Sequence, residues 1–173
     1  MNRHAFLRFI PLLLSLALLS SACAPPAAAR DHLSFLKTDF IATLSATVSD
    51  RSYALTLTHT ADRLLLETSE PIPLCFAKQG ETVTLLEGST EIPLPAPVCG
   101  IPLLFTLLGI TRQELVSVKT LRHPSGTCLL AEYALPEGTV RLTLDQKTLI
   151  PRRIEGQLAD QTLRMDLLTY QPI

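Results

Sequence analysis

The chain has 173 residues, a formal net charge of −1 and no tryptophan. It contains neither a basic patch nor an arginine-rich arm, so its composition argues against nucleic acid as a partner. Threonine, leucine and valine at alternating positions favour a β-rich domain. Behind the leader described next, about 150 residues remain, which is enough chain for one domain with its own core.

The first 23 residues have the pattern of an export signal. Arg3 and Arg8 precede an apolar run over residues 9–19, and the small residues 20–22 lead directly to Cys23. A positive segment, about a dozen apolar residues and a small-residue cleavage site are typical of a secretory signal peptide, not of a membrane-spanning helix. No later apolar stretch approaches the roughly 18–20 residues that a span requires.

The cysteine at the cleavage point makes this leader resemble that of a bacterial lipoprotein. The resemblance implies removal of residues 1–22 and a thioether-linked diacylglycerol on Cys23. We therefore expect an anchor on the extracytoplasmic side of the membrane, at the cytoplasmic membrane or at the outer membrane of a two-membrane cell. Residues 23–34 are predicted to form the tether, and residues 35–173 a single β-rich domain.

From residue 40 the hydrophobic pattern has period two, which predicts β-strands. Apolar residues at 40, 42, 44, 46 and 48 share one face of the first strand. Further alternating or short apolar segments follow, separated by turn residues; they cover 53–58, 64–68, 74–77, 82–86 and 91–94.

Residues 101–110 form the one strongly apolar stretch of the domain that does not alternate. Pro102 suits a first helical turn and Gly109 a terminus, so the stretch predicts a short helix. Thr111 and Glu114 have the spacing of a capping box. Strands are predicted again over 116–121, 127–135, 140–144, 149–158 and 162–170. About ten strands with short connections indicate a mainly β fold, a single curved antiparallel sheet with one or two short helices.

This order of elements, with its closing segment 138–156, resembles the LolA/LolB type of lipoprotein-carrier domain. The resemblance implies an open or incomplete β-barrel whose concave face is covered by helices and holds acyl chains. The chain departs from that family at its start, where the long amphipathic helix is reduced to residues 31–36.

The concave face is the candidate ligand site. Aliphatic and aromatic side chains with few polar anchors suit a lipid or another apolar ligand, although an ordinary packed core is lined in the same way. Segment 101–110 is accordingly either a lid or a plug. Arg152 is a candidate donor to a head group, and the alternative is that Arg152 and Arg153 both face solvent. The predicted apolar lining consists of Leu44, Leu55, Leu57, Leu66, Phe105, Leu108, Leu142 and Leu144.

The remaining chemistry-bearing residues give weak signals. Cys75 and Cys99 are the predicted disulfide, and the alternative is that they and Cys128 are small buried hydrophobic residues. No metal-ligand spacing, catalytic motif or cofactor-binding turn occurs, so the sequence disfavours an enzyme and implies no cofactor and no metal.

Two functions follow from the sequence. The first is a membrane-anchored extracytoplasmic lipoprotein that binds a lipid or other apolar ligand in a half-barrel. The alternative is a structural or interaction lipoprotein of the cell envelope, which contacts a protein partner and whose sheet is filled by its own side chains.

Overall fold

A computed structural model describes residues 30–95, 100–123, 126–158 and 160–173, with the side chain of His123 left aside. The predicted signal peptide, Cys23 and Cys99 lie outside the described residues. Within them, Asp31–Ile173 forms one compact unit. Its buried hydrophobic side chains run from Leu33 to Met165. Since a segment with its own core is able to fold by itself, we expect the chain from residue 24 onward to fold without the preceding residues.

Eleven antiparallel strands form one sheet in the order β6-β5-β4-β3-β2-β1-β11-β10-β9-β8-β7. No pairing joins β6 to β7 in the described part of the chain, so the sheet is open. The predicted mainly β fold with an open antiparallel sheet is therefore confirmed. The strands are β1 Phe40–Val48, β2 Arg51–His59, β3 Leu64–Glu70, β4 Leu74–Gln79, β5 Thr82–Glu87, β6 Thr90–Pro93, β7 Leu115–His123, β8 Gly126–Leu135, β9 Gly138–Asp145, β10 Pro151–Leu158 and β11 Gln161–Pro172.

The helical elements are short. A 3-10 turn at Ile101–Leu103 leads into the α-helix α1, Leu104–Leu108, and Gly109 follows as the C-cap. This confirms the predicted short helix, and Pro102 stands at the start of the 3-10 turn that precedes α1, where its missing N–H costs nothing. Two more 3-10 turns cover Ser34–Lys37 and Arg112–Glu114; the second has the predicted capping box.

The period-two pattern places the apolar side chains on one face of the sheet. Along β1, burial alternates between buried and more exposed positions from Phe40 to Val48. On the opposite face, the Thr43 and Thr169 hydroxyls are hydrogen-bonded at 2.7 Å. The apolar face is the one that receives α1.

The positions of Gly109 and Leu107 show that the sheet curves around α1. The Lys78 Nζ atom on β4 lies 3.6 Å from the point where a Cβ on Gly109 would stand. On β10, a Cβ on Gly156 would overlap the Leu107 Cδ2 atom. Five strand intervals separate β4 from β10. In a flat sheet these two strands would be about 24 Å apart, whereas α1 is only about 7.5 Å long. Only a strongly curved sheet can touch one short helix from both strands, and α1 therefore fills its concave side.

Candidate functional site

The predicted apolar lining is buried on the concave face. None of the eight predicted side chains is more than 6% exposed. They belong to β1, β2, β3, β9 and α1, and strand register brings four of them together, because Leu55 pairs with Leu44 and Leu57 with Leu66. Their placement agrees with the prediction, while a role in ligand binding stays a prediction.

The space left under α1 is small. A cavity of about 10 Å³ lies between α1, the sheet and the 3-10 turn that contains Phe35. This volume is about enough for one water molecule. Three of the predicted lining residues border it, namely Leu44, Leu57 and Leu108. The sequence did not predict the other seven residues that line the cavity, although the alternation in β1 and β11 would have indicated several of them. These seven are Phe35, Phe40, Pro151, Ile154, Met165, Leu167 and Tyr170.

The helix is held in place by its side chains. Leu104, Phe105, Leu107 and Leu108 are all buried. Leu107 reaches the backbone of β10 because Gly156 has no side chain there. At about 1.5–3 kcal/mol for each buried side chain, these four contribute about 6–12 kcal/mol to the packing of α1 against the sheet.

An aromatic cluster stands at one end of the cavity. The Phe40 ring stacks on His59 with centroids 5.1 Å apart and contacts Tyr170 at 4.9 Å. The His59 Nδ1 atom lies 3.0 Å from the carbonyl oxygen of Thr38. Because a carbonyl only accepts, this nitrogen donates, and the bond fixes the orientation of the ring.

The strand around Arg152 does not alternate regularly, and a role of Arg152 as a head-group donor stays a prediction. Strand alternation would place Arg152 and Arg153 on opposite faces, but the β9–β10 register shifts between Pro151 and Arg153. A bulge of this kind redirects the extra residue. The Arg152 Nη2 atom donates to Asp145 Oδ2 at 2.7 Å, and Arg153 Nε donates to Asp166 Oδ1 at 2.6 Å. The proposed head-group donor is thus engaged by a carboxylate at the end of β9.

Asp145 is itself held by several donors. The backbone N–H of Thr148, the Arg152 guanidinium and the backbone N–H of Lys147 lower the pKa of Asp145 to about 2. The carboxylate thereby fixes the β9–β10 turn and Arg152 together.

Asp145→Asn should reduce the loss of stability in acid. Because the folded-state pKa is depressed from 3.8 to about 2, this carboxylate stabilises the fold above pH 4, and its contribution is lost as the pH falls toward 2. Urea unfolding from pH 7 to pH 2 should show that the variant is less stable at pH 7 and that the difference narrows in acid. Asp50→Asn, in the exposed β1–β2 turn, is the matched control. A constant difference across the pH range would contradict the assignment.

The two described cysteines belong to no assembled reactive site. Cys75, on β4, is half-buried and forms no disulfide with another described cysteine; burial, with the nearby Glu67 carboxylate, raises the pKa of its thiol. Cys128 is free and buried. Because Cys99 lies outside the described residues, its disulfide with Cys75 stays a prediction. Among the described residues, no group of His, Cys, Asp and Glu side chains is arranged to hold a metal ion.

The fold has counterparts among solved structures. The lipoprotein LppX of Mycobacterium tuberculosis matches with a TM-score of 0.51 at 10% identity, over 85% of this chain and 95% of that one. An uncharacterized conserved protein from Thermus thermophilus matches with a TM-score of 0.51 at 11% identity, over 81% and 82%. A LolA-superfamily protein from Nitrosomonas europaea has a TM-score of 0.40 at 10% identity, over 83% and 94%.

The likenesses to LppX and to the Thermus thermophilus protein extend to the fold alone, because the identities are low. No protein-family model matches the chain, and no curated protein does. In the part of the chain that the structure describes, no helix has the length and apolarity that a membrane span needs.

Proposed function

We propose that this protein is a lipoprotein anchored through a diacylglycerol on Cys23 at the extracytoplasmic side of a membrane. Its half-barrel binds an acyl chain, or a similar apolar ligand, by exchange with α1. The observation that carries the proposal is the open apolar sheet whose concave face is covered, in the described part of the chain, by the five-residue helix α1 and short 3-10 turns. Side-chain contacts such as that of Leu107 with β10 hold the helix, and another apolar chain can replace them.

The energies limit which ligand can displace α1. Removing the helix costs about 6–12 kcal/mol of side-chain burial, and each methylene taken from water returns about 0.8 kcal/mol. Burial of about 8–15 methylenes of a ligand therefore offsets the loss of the α1 side chains, and this is the length of a common acyl chain. A chain already dissolved in a bilayer gains nothing by the transfer, so we expect the ligand to arrive from water or from another protein.

A second candidate function is an envelope lipoprotein with a filled core that acts through a protein partner. The cavity of about 10 Å³ favours it, because no acyl chain fits beside α1 in this closed form. The two candidates differ in one property, which is whether α1 ever leaves the concave face.

Mass spectrometry tests both the anchor and the ligand. The intact chain purified from membranes should lack residues 1–22 and carry a diacylglyceryl group on Cys23. The chain from residue 24 onward should co-purify with a long-chain amphiphile. In Phe105→Asp the amphiphile content should rise, because a buried carboxylate disfavours the closed position of α1.

Thr106→Asp is the matched control, since Thr106 lies on the same helix but is only half-buried. A folded Phe105→Asp variant with unchanged amphiphile content would contradict the lid. Absence of amphiphile from both the wild type and that variant would favour the filled core.

A further inference from the structure

A cleft of about 170 Å³ with three nitrogen-bearing side chains lies at one end of the concave face. His59 from the end of β2, Arg63 from the β2–β3 turn and Lys78 from β4 border it. We refer to these three residues as the cationic rim. Strand register explains how they meet, because His59 pairs with Leu64 and Leu64 pairs with Lys78. His59 and Lys78 therefore point to the same face of the sheet, with Arg63 beside them.

The cationic rim adjoins the apolar cavity at two points. Phe40 borders the cavity and stacks on His59, with ring centroids 5.1 Å apart. Leu108 also borders the cavity, and the Lys78 ammonium lies beside the next residue, Gly109. A ligand that replaced α1 in the cavity would thus end next to Lys78 and His59.

The cations of the rim differ from four arginines of the sheet whose charges are already neutralised. Arg141, Arg152, Arg153 and Arg164 all form ion pairs with carboxylates at 2.6–3.0 Å. Lys78 and Arg63 take part in no ion pair between described residues. The carboxylate that borders the cleft is Asp62, in an exposed turn. One carboxylate against two permanent cations leaves the cleft with net positive charge.

Lys78 has a second property, which links the rim to the helix. A Cβ on Gly109 would lie 3.6 Å from Lys78 Nζ and 3.6 and 3.7 Å from the carbonyl oxygens of Phe105 and Thr106. The ammonium therefore stands near the C-terminal end of α1, where the helix dipole favours a cation. Lys78 therefore stands where the cationic rim meets the end of α1.

We propose that the cationic rim binds the anionic head group of an amphiphile whose alkyl chain occupies the concave face. This inference rests on the proposed exchange of α1 and names the ligand class. A phosphate or carboxylate oxygen accepts from the Lys78 ammonium, and Arg63 supplies a second charged donor. Because Lys78 lies beside Gly109, the head group binds next to the position that the end of α1 vacates.

Calorimetric titration of the chain from residue 24 onward tests this inference with three probes. They are dodecyl phosphate, the uncharged octaethylene glycol monododecyl ether and inorganic phosphate, with both amphiphiles below their critical micelle concentrations. We expect dodecyl phosphate to bind most tightly. Lys78→Met and Arg63→Met should each weaken its binding about tenfold, because each removes a charged hydrogen-bond donor. Binding of the uncharged ether should be unaffected by Arg63→Met.

Two controls keep the outcomes distinct. Lys119→Met removes a cation from the exposed edge strand β7 and should leave all affinities unchanged, whereas Lys78→Arg should retain the preference for dodecyl phosphate.

Equal binding of both amphiphiles by every variant would overturn the head-group site and leave the proposed function intact. Inorganic phosphate binding as tightly as dodecyl phosphate would overturn it in favour of a free-anion site. Failure of both amphiphiles to bind would overturn the inference and the proposed function together.

Discussion

Replacing Leu107 by alanine should lower the free energy of unfolding by about 2–5 kcal/mol, the range for a large-to-small change in a packed core. Leu107 is 1% exposed and lies directly over Gly156 of β10. Its loss removes apolar burial and opens a void at the point where the helix meets the sheet. Urea unfolding of the chain from residue 24 onward measures the change. A loss below about 1 kcal/mol would show that α1 does not belong to the folded core.

A double-mutant cycle shows whether the contact itself is responsible. Gly156→Ala alone should destabilise the fold, because the new methyl group overlaps the end of Leu107. In the double variant that methyl group enters the space vacated by Leu107, so the combined loss should be smaller than the sum of the two. We expect a coupling of about 0.5–3 kcal/mol, the usual range for residues in contact.

The control cycle pairs Leu107→Ala with Gly88→Ala. Gly88 lies in the β5–β6 turn, where an added Cβ would meet nothing within 4 Å. The two losses should then add, as they do for distant sites. Strict additivity in the Leu107 and Gly156 cycle would mean that α1 is seated elsewhere on the sheet.

Local alternation was enough to predict the strands and a single antiparallel sheet, whereas the openness of the sheet was implied by the family resemblance. β1 illustrates this, because its apolar residues at every second position are buried and its threonines are more exposed. The pattern was misleading just before β10, where residues 149 and 150 look like strand but the strand begins at Pro151. Leu149 instead has a positive φ of 58° and donates its N–H to the Asp145 carbonyl. A bend of this kind depends on a turn that apolarity alone does not reveal.

The site was less predictable, because its residues meet only through strand register. Lys78 is one cation among many in the sequence, and its place beside Gly109 depends on how the strands wrap around α1. Arg152 was predicted from simple alternation, which the bulge at Pro151 and Arg153 removes. The contact of Leu107 with Gly156 joins residues that are 49 positions apart in the sequence, and no local pattern predicts it.

Gly138→Ala should be more destabilising than any other glycine substitution in the hairpins, with a loss of about 3 kcal/mol or more. Gly138 opens β9 after the turn at residues 136–137 and pairs with Leu158 on β10. An added Cβ would overlap the carbonyl oxygen of Gln157, a backbone atom of the β10 ladder. A flexible side chain could move away, but this carbonyl can retreat only by separating β9 from β10.

Gly80→Ala separates this steric effect from the conformational one. Gly80 has a φ of +56° but open space around its Cα, so alanine there should cost only about 1 kcal/mol for the left-handed backbone. Urea unfolding of the two variants side by side gives the comparison. Equal losses would mean that backbone conformation alone accounts for both, and that β9 and β10 are farther apart at this end than the overlap requires. A larger loss in Gly138→Ala places the close approach of the two backbones at the end of the sheet where β9 leaves its turn.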